Sequence, residues 1–166
     1  MKTIPLSRGK VALVDDADWE WLMQWKWSYW FQRGRREGSG YAVRGVYENG
    51  KWIGSIYMHR LVLDAPDGTE VDHVNHNGLD NRRANLRLCT HRQNTCNQRP
   101  RVRAQCPYRG VLTTDSGKWK AQITAQGKVH YLGTFDTPEA AAHAYNEAAQ
   151  SMHGRFAKLN RVNKQW

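Results

Sequence analysis

The sequence is short of cysteine, of long apolar runs and, over its middle third, of negative charge. Its three cysteines, Cys89, Cys96 and Cys106, are odd in number and irregularly spaced, and no Cys-x-x-Cys pair occurs. That argues against a disulfide framework and against the structural zinc sites built on such pairs, so no structural zinc is expected and reduced thiols are. No apolar run approaches the roughly 20 residues needed to cross a bilayer. Met1 to Lys10 lacks the apolar stretch and small-residue cleavage site of a secretion signal. The expectation is a soluble, intracellular (cytoplasmic) protein without a membrane partner. Internal repeats and low-complexity tracts are absent too.

The missing negative charge says the most. From Asn81 to Thr114 there is no Asp or Glu, while eight arginines occur: Arg82, Arg83, Arg87, Arg92, Arg99, Arg101, Arg103 and Arg109. The whole chain carries a formal charge of +10. A one-sign run repels itself until a counter-charge arrives. Phosphate of a nucleic acid is the counter-charge expected here.

What is present divides into three textures. With 166 residues, 40% of them hydrophobic, the chain can form one ordinary domain or two to three small ones. Residues 1–57 hold six tryptophans, Trp19, Trp21, Trp25, Trp27, Trp30 and Trp52. Strands are expected over Lys10–Val14, Trp25–Gln32, Tyr41–Tyr47 and Trp52–Tyr57, with a helix over Trp19–Gln24 and a tight turn at Asn49-Gly50. The tryptophans are read as core rather than as base-stacking platforms. Arg33, Arg35 and Arg36 would add basic contacts.

The second segment reads as a helical turn or strand at His59–Leu63, a strand at Thr69–Val74, a long polar loop, a brief strand at Arg87–Cys89, and a helix over His91–Gln98 capped by Thr90. Phosphodiester hydrolysis needs a base to activate water, a cation to offset developing charge, and rigid supports for both. His73 titrates near neutrality and suits the base. Asp72 and Asn94 offer hard oxygens that suit magnesium or manganese, and two protein oxygens leave coordination open for phosphate and water. Asp72 and His73 are strand neighbours, so their side chains leave on opposite faces unless the strand twists or ends there. His59 is read as structural, and His76 and His91 are given no chemistry.

The string Val71-Asp72-His73-Val74-Asn75-His76-Asn77-Gly78-Leu79-Asp80-Asn81-Arg82-Arg83-Ala84-Asn85-Leu86-Arg87, followed by Gln93-Asn94 and preceded by His59-Arg60-Leu61-Val62, resembles the HNH homing endonucleases of bacteriophages. The resemblance implies a ββα-metal nuclease unit with His73 as general base and Asp72 and Asn94 as ligands of a divalent metal, Mg2+ or Mn2+. Asn85 would be the asparagine that ties the loop to the strand. Asparagine at position 94, where many such enzymes have histidine, also occurs among phage enzymes that nick one strand.

The third segment reads as strands at Tyr108–Thr113, Trp119–Ala125 and Lys128–Leu132, then a helix begun by Thr137-Pro138 and stopped at Gly154. Ala141, Ala144, Tyr145, Ala148, Ala149 and Met152 form its expected buried stripe. Tyr108-Arg109-Gly110-Val111, Gly117-Lys118-Trp119, Leu132-Gly133-Thr134-Phe135 and Phe156-Ala157-Lys158-Leu159-Asn160 look like an APETALA-type DNA-binding domain. Such domains lay the sheet into the major groove of double-stranded DNA. The face would present Arg109, Lys118, Lys120, Gln122 and Thr124, with Lys128 or His130. Plant members carry further arginines and a tryptophan there, whereas this chain has Leu112, Thr114 and Tyr131.

The expected fold is α+β: a small β-rich N-terminal domain (1–57), the nuclease unit (58–98), a basic linker (99–106), a three-stranded antiparallel sheet packed on one helix (107–160) and a tail (161–166). The expected function is a metal-dependent DNA endonuclease acting as a monomer, or as a dimer if both strands are cut together, with no protein partner implied. The alternative is a DNA-binding regulator with an inactive nuclease unit.

Overall fold

The computed structural model describes residues 1–31, 40–97 and 106–162. Arg33, Arg35, Arg36, Arg99, Arg101 and Arg103 lie outside the described residues, as do most of the linker and the last four residues. The chain divides into two compact units, Met1–His91 and Arg92–Trp166. Among the described residues, no helix is long and apolar enough to cross a membrane.

The first unit opens with a hairpin that the sequence signals only in part, β1 (Lys2–Pro5) against β2 (Val11–Val14). Helix α1 (Asp16–Leu22) follows. It begins earlier than expected because Asp16 and Asp18 already occupy its first turn, where acidic groups favour the positive end of the helix. The expected strand over Trp25–Gln32 shrinks to β3 (Ser28–Trp30). Trp25 and Trp27 are instead taken up in a turn of edge-on rings, Trp21 on Trp25 at 6.0 Å and Trp25 on Trp27 at 6.4 Å. The Trp27 indole also donates to Leu22 O at 2.8 Å. β4 (Tyr41–Glu48) and β5 (Lys51–Tyr57) complete a sheet of order β3-β4-β5. Helix α2 (Met58–Val62) settles the His59–Leu63 ambiguity as helix. β6 (Glu70–His73) and β7 (Leu86–Cys89) pair antiparallel, and α3 (His91–Cys96) begins just after them.

Residues on both sides of position 57 build one core. Ile4, Val14, Leu22 and Trp27 are buried together with Met58, Val62 and Leu86. Trp19, Trp21 and Trp25 pack partly buried against it, whereas Trp30 and Trp52 stay exposed.

In the second unit, β8 (Val111–Thr113), β9 (Trp119–Ala125) and β10 (Lys128–Phe135) form an antiparallel sheet of order β10-β9-β8 that packs on α4 (Pro138–His153). Thr137 caps α4 by accepting from Ala140 N at 3.2 Å, and Gly154 follows its end. Ala141, Ala142, Tyr145 and Ala149 are its buried residues. Met152 is not among them. It is 44% exposed, because the helix face at its last turn runs past the edge of the sheet residues it packs on. Small side chains at 141, 142 and 149 let helix and sheet approach closely.

Gly110 shows how close. At its φ of +73° an L side chain is strained, and a Cβ would meet the Tyr145 ring and lie 2.5 Å from Gln122 O. Gly110→Ala is expected to destabilise the second unit by about 2–4 kcal/mol. Hydrogen exchange at β9 amides, with β6–β7 amides as the internal reference, reads this directly. Unchanged β9 protection would contradict the packing described.

Candidate active site and nucleic-acid interface

β6 ends at His73, so the residues after it turn away at once. His76 N bonds His73 O at 2.9 Å, with His76 in the left-handed region at φ 63°. The loop is then built by its asparagines. Asn75 Oδ1 accepts from Asn77 N (2.8 Å) and Asn77 Oδ1 from Leu79 N (3.1 Å), two side-chain-made turns. Asn85 closes it: its Oδ1 accepts from Asn75 N at 3.0 Å, its Nδ2 donates to Asp80 O at 2.8 Å, and its own carbonyl takes Val74 N at 2.9 Å.

The loop is also tied to the N-terminal hairpin. Leu13 N bonds Leu79 O and Asn81 N bonds Leu13 O, both at 2.8 Å, a short parallel bridge from β2. Arg83 reaches α1: Nε and Nη2 clamp Asp18 at 2.8 and 2.7 Å, and Arg83 N bonds Asp15 Oδ2 at 2.8 Å.

Asp72 and His73 are each 5% exposed. His73 lies beside two rings, Tyr41 at 5.8 Å and His59 at 5.0 Å, and Tyr57 stands against both of these. Burial holds the His73 imidazole below its usual pKa, against the opposing pull of Asn81, Asp72 and Asp80. Burial, with the charges of His73 and Arg60, pushes His59 down to about 3. The fully buried Asn81 sits close enough to favour protonated His73, yet neither atom of its carboxamide meets hydrogen-bond geometry with a described group. We give the contact weight as proximity and not as a formed bond.

Arg87 clamps Asp72 Oδ2 with Nε at 2.8 Å and Nη2 at 2.6 Å. Arg82 clamps Asp80 in the same two-point manner, at 2.7 Å each, and holds that carboxyl below its usual range. The counter-charge for Arg82, Arg83 and Arg87 thus comes from Asp80, Asp18 and Asp72 inside the fold, and not from an arriving phosphate. The expectation that these three are phosphate contacts is corrected accordingly. Asp18 lies 65 residues from Arg83, which is why the acid-free stretch looked unanswered. Sequence reasoning gave Asp18, Asp80 and Asn81 no part, although Asp80-Asn81 stand inside the quoted motif.

Asn94 is half-buried on α3, whose residues from Arg92 onward belong to the second unit. Among the described residues no cluster of three or more His, Cys, Asp or Glu is placed to hold a metal. A cation at Asp72 would therefore draw on amide, water and phosphate oxygen. That all-oxygen set fits a hard divalent ion.

In the second unit Arg109 faces inward. Its Nη1 donates to Cys96 O at 2.8 Å, and Asn160 brackets its main chain, accepting from Arg109 N at 2.6 Å and donating to Arg109 O at 3.0 Å. Its expected place on the DNA face is corrected by those bonds. The open face of the sheet carries Lys120, Gln122 and Thr124 from β9, since Ala121, Ile123 and Ala125 are buried beneath. Lys118 precedes β9 and pairs with Asp136 at 3.0 Å. Lys128 and His130 are opposite Ala125 and Ile123, so they share the helix side of the ladder. The residues of β10 on the open face are Val129 and Tyr131, opposite Thr124 and Gln122, and this corrects the choice of Lys128 or His130.

Two outcomes follow from these bonds. Asn85→Ala strands the Asn75 N–H and the Asp80 carbonyl and is expected to cost the first unit about 2–4 kcal/mol, with Asn85→Asp intermediate; denaturant unfolding measures it. His59 and His73 stay neutral in the fold, while the unfolded chain takes up their protons near the ordinary value of 6.5. Stability of the first unit is therefore complete above about pH 6.5 and declines as pH falls towards 3. At pH 5 the loss from His59 is expected to be about 2 kcal/mol relative to pH 7.5. His59→Gln should flatten that slope, and an unaltered slope would show that His59 is not buried neutral.

Comparison with known proteins agrees with both halves. Residues 64–96 match a family profile described as HNH endonuclease, and residues 106–155 match one described as AP2 domain. A protein of Acanthamoeba polyphaga mimivirus, named as an uncharacterized HNH endonuclease, is 32% identical over 162 residues, 95% of this chain and 80% of its own length. Dehydration-responsive element-binding protein 2A of Oryza sativa subsp. indica is 46% identical over 59 residues, 34% of this chain, and the chain spans only 22% of that protein's length. The Arabidopsis thaliana protein of the same name gives 46% over 59 residues, with 18% of its length spanned. With a relative matched along nearly its whole length and the His73 loop built as described, the chain belongs to the HNH endonuclease family, with an AP2 domain following the nuclease segment.

Proposed function

We propose that this chain is a phage-type homing endonuclease that hydrolyses or nicks the phosphodiester bonds of double-stranded DNA. The observation that carries the reading is His73, a buried imidazole held neutral at the end of β6, beside Asp72 and below a loop closed by Asn85. A neutral imidazole can take the proton of an attacking water at cellular pH. Tyr41 and His59 restrict its rotation. Asn85 fixes the turn that follows it and so acts as a positioning residue. Asp72 and Asn94 are the residues that would hold the divalent metal, Mg2+ or Mn2+. Such an ion, when bound, offsets charge on the phosphate and the departing 3′ oxygen. Lys118, Lys120, Gln122 and Thr124 would engage the duplex from the sheet, while Arg92 and the linker arginines Arg99, Arg101 and Arg103 follow its backbone. The enzyme would work as a cytoplasmic monomer in an infected host cell, nicking one strand at a time.

A second reading, a DNA-binding regulator with an inactive nuclease unit, is favoured by one observation: Arg87 already neutralises Asp72. Wild type that binds duplex DNA but cuts it with no divalent cation would select that reading.

His73→Ala is expected to lower magnesium-dependent nicking by about 10²–10⁴-fold while duplex affinity stays within about twofold. Supercoiled plasmid relaxed by wild type and variant at matched concentrations checks it. Equal cutting by the variant would remove His73 from the role of base.

A further inference from the structure

A sheet with one face on a helix and the other open to water alternates apolar and polar residues. The sheet of the second unit breaks that rule on its open face. Its outward positions are Leu112 on β8, Lys120, Gln122 and Thr124 on β9, and Val129, Tyr131 and Thr134 on β10. Leu112 is 44% exposed, Val129 63% and Tyr131 64%. The central strand is polar, and the two outer strands bring the apolar groups.

The arrangement is built and not incidental. Antiparallel pairing puts Val129 opposite Thr124 and Tyr131 opposite Gln122, and it aligns Leu112, Lys120 and Thr134 in one row. A bulge between Tyr131 and Gly133 resets the alternation, so that Leu132 turns inward while Tyr131 and Thr134 both stay outward. Tyr131 and Thr134 then share a 2.7 Å hydroxyl–hydroxyl bond, which lays the ring along the face. Three strands at about 4.8 Å spacing make a face about 10 Å across, which the roughly 12 Å major groove accepts.

What covers this face follows from charge. None of the residues of β8, β9 or β10 is acidic, whereas Lys120 lies on the open face and Lys118 and Lys128 at the strand ends. That composition suits a polyanion and disfavours an acidic or purely apolar partner. In the major groove one apolar feature distinguishes the bases, the 5-methyl group of thymine.

We propose that Leu112, Val129 and Tyr131 are specificity-determining residues that read thymine methyl groups, while Lys120, Gln122 and Thr124 between them make the polar contacts. This rests on the reading that the sheet engages duplex DNA. Sequence preference is then set by methyl positions at the two edges of the face, and guanine contacts by arginine play little part.

The test uses the full chain in EDTA, so that binding is read without cutting. Duplexes bound by wild type are selected from a random pool, and each is remade with uracil in place of thymine. Selected sites are expected to be rich in thymine at fixed positions, and uracil is expected to weaken binding about fourfold per contacted methyl, the factor that about 0.8 kcal/mol per buried methyl-sized group corresponds to. In the Leu112→Thr/Val129→Thr variant, which keeps size and exposure, the thymine and uracil duplexes should bind alike. Wild type that binds a selected duplex with no loss on uracil substitution overturns the proposal and leaves DNA binding standing. So does an equal loss in the variant. Failure to bind any duplex, or self-association abolished by the same substitutions, overturns both the proposal and the reading beneath it.

Discussion

The first unit depends on how a polar loop is kept still. Between His73 and Leu86 the chain has only a single 3-10 turn, Arg83–Asn85, and no strand of its own. A loop of that length cannot hold a catalytic imidazole unless its main chain is bonded elsewhere. Three ties do this. Asn85 joins the two ends of the loop, Leu13 takes two main-chain bonds from its middle, and Asp18 holds Arg83. Remove the N-terminal hairpin and α1, and two of the three are gone. The tryptophan-rich segment is therefore part of the scaffold of the site. It also supplies Tyr41 and Tyr57 to the rings around His73 and His59. Gly78 marks how tightly the two halves meet, since a Cβ there would lie 2.5 Å from Gly40 O and 2.8 Å from the Tyr41 ring.

The electrostatics follow from the same burial. A buried carboxylate is costly unless it is paired and hydrogen-bonded. Asp18, Asp72 and Asp80 are each buried, and each is met by an arginine from the segment 82–87 through two nitrogens. The two-point clamp fixes direction as well as charge. For Asp80 it holds the loop, and for Asp18 it holds α1 to the loop. At Asp72 it sets the carboxylate plane beside His73 and limits how much of that carboxylate a cation can claim.

Much of this was legible in the sequence and some was not, for reasons that can be named. Local signals were strong where one element carries its own information. Thr137-Pro138 and Gly154 bound α4, the strand Trp119–Ala125 alternates cleanly, and Asn49-Gly50 joins β4 to β5. The spacing of Asp72, His73 and Asn85 placed the loop closure. Pairings across long separations were hidden. Nothing near Arg83 announces Asp18, and the parallel bridge from Leu13 has no local signature. The strand expected from Trp25 failed because alternating tryptophans also satisfy a turn in which rings meet edge to edge. The face of β10 was misread through one residue: simple period-2 counting does not anticipate the bulge at Leu132, and a choice between Lys128 and His130 followed charge where the ladder follows register.

The internal pairing of arginines changes what the basic charge of the chain can mean. A formal +10 suggests many phosphate contacts. Salt sensitivity of DNA binding, however, counts only the cations that replace counterions on phosphate. Arg82, Arg83 and Arg87 are answered within the fold, and Arg109 is turned to a main-chain carbonyl. On the proposed reading the phosphate contacts fall to Lys118, Lys120, Arg92 and the linker arginines, fewer than the composition implies. An interface with fewer ionic contacts and exposed Leu112, Val129 and Tyr131 draws more of its affinity from apolar burial. That share is insensitive to salt and depends on where the methyl groups lie. The division of labour is then physical: the arginines nearest the cutting site build its frame, and the choice of site rests on a face whose side chains are mostly uncharged.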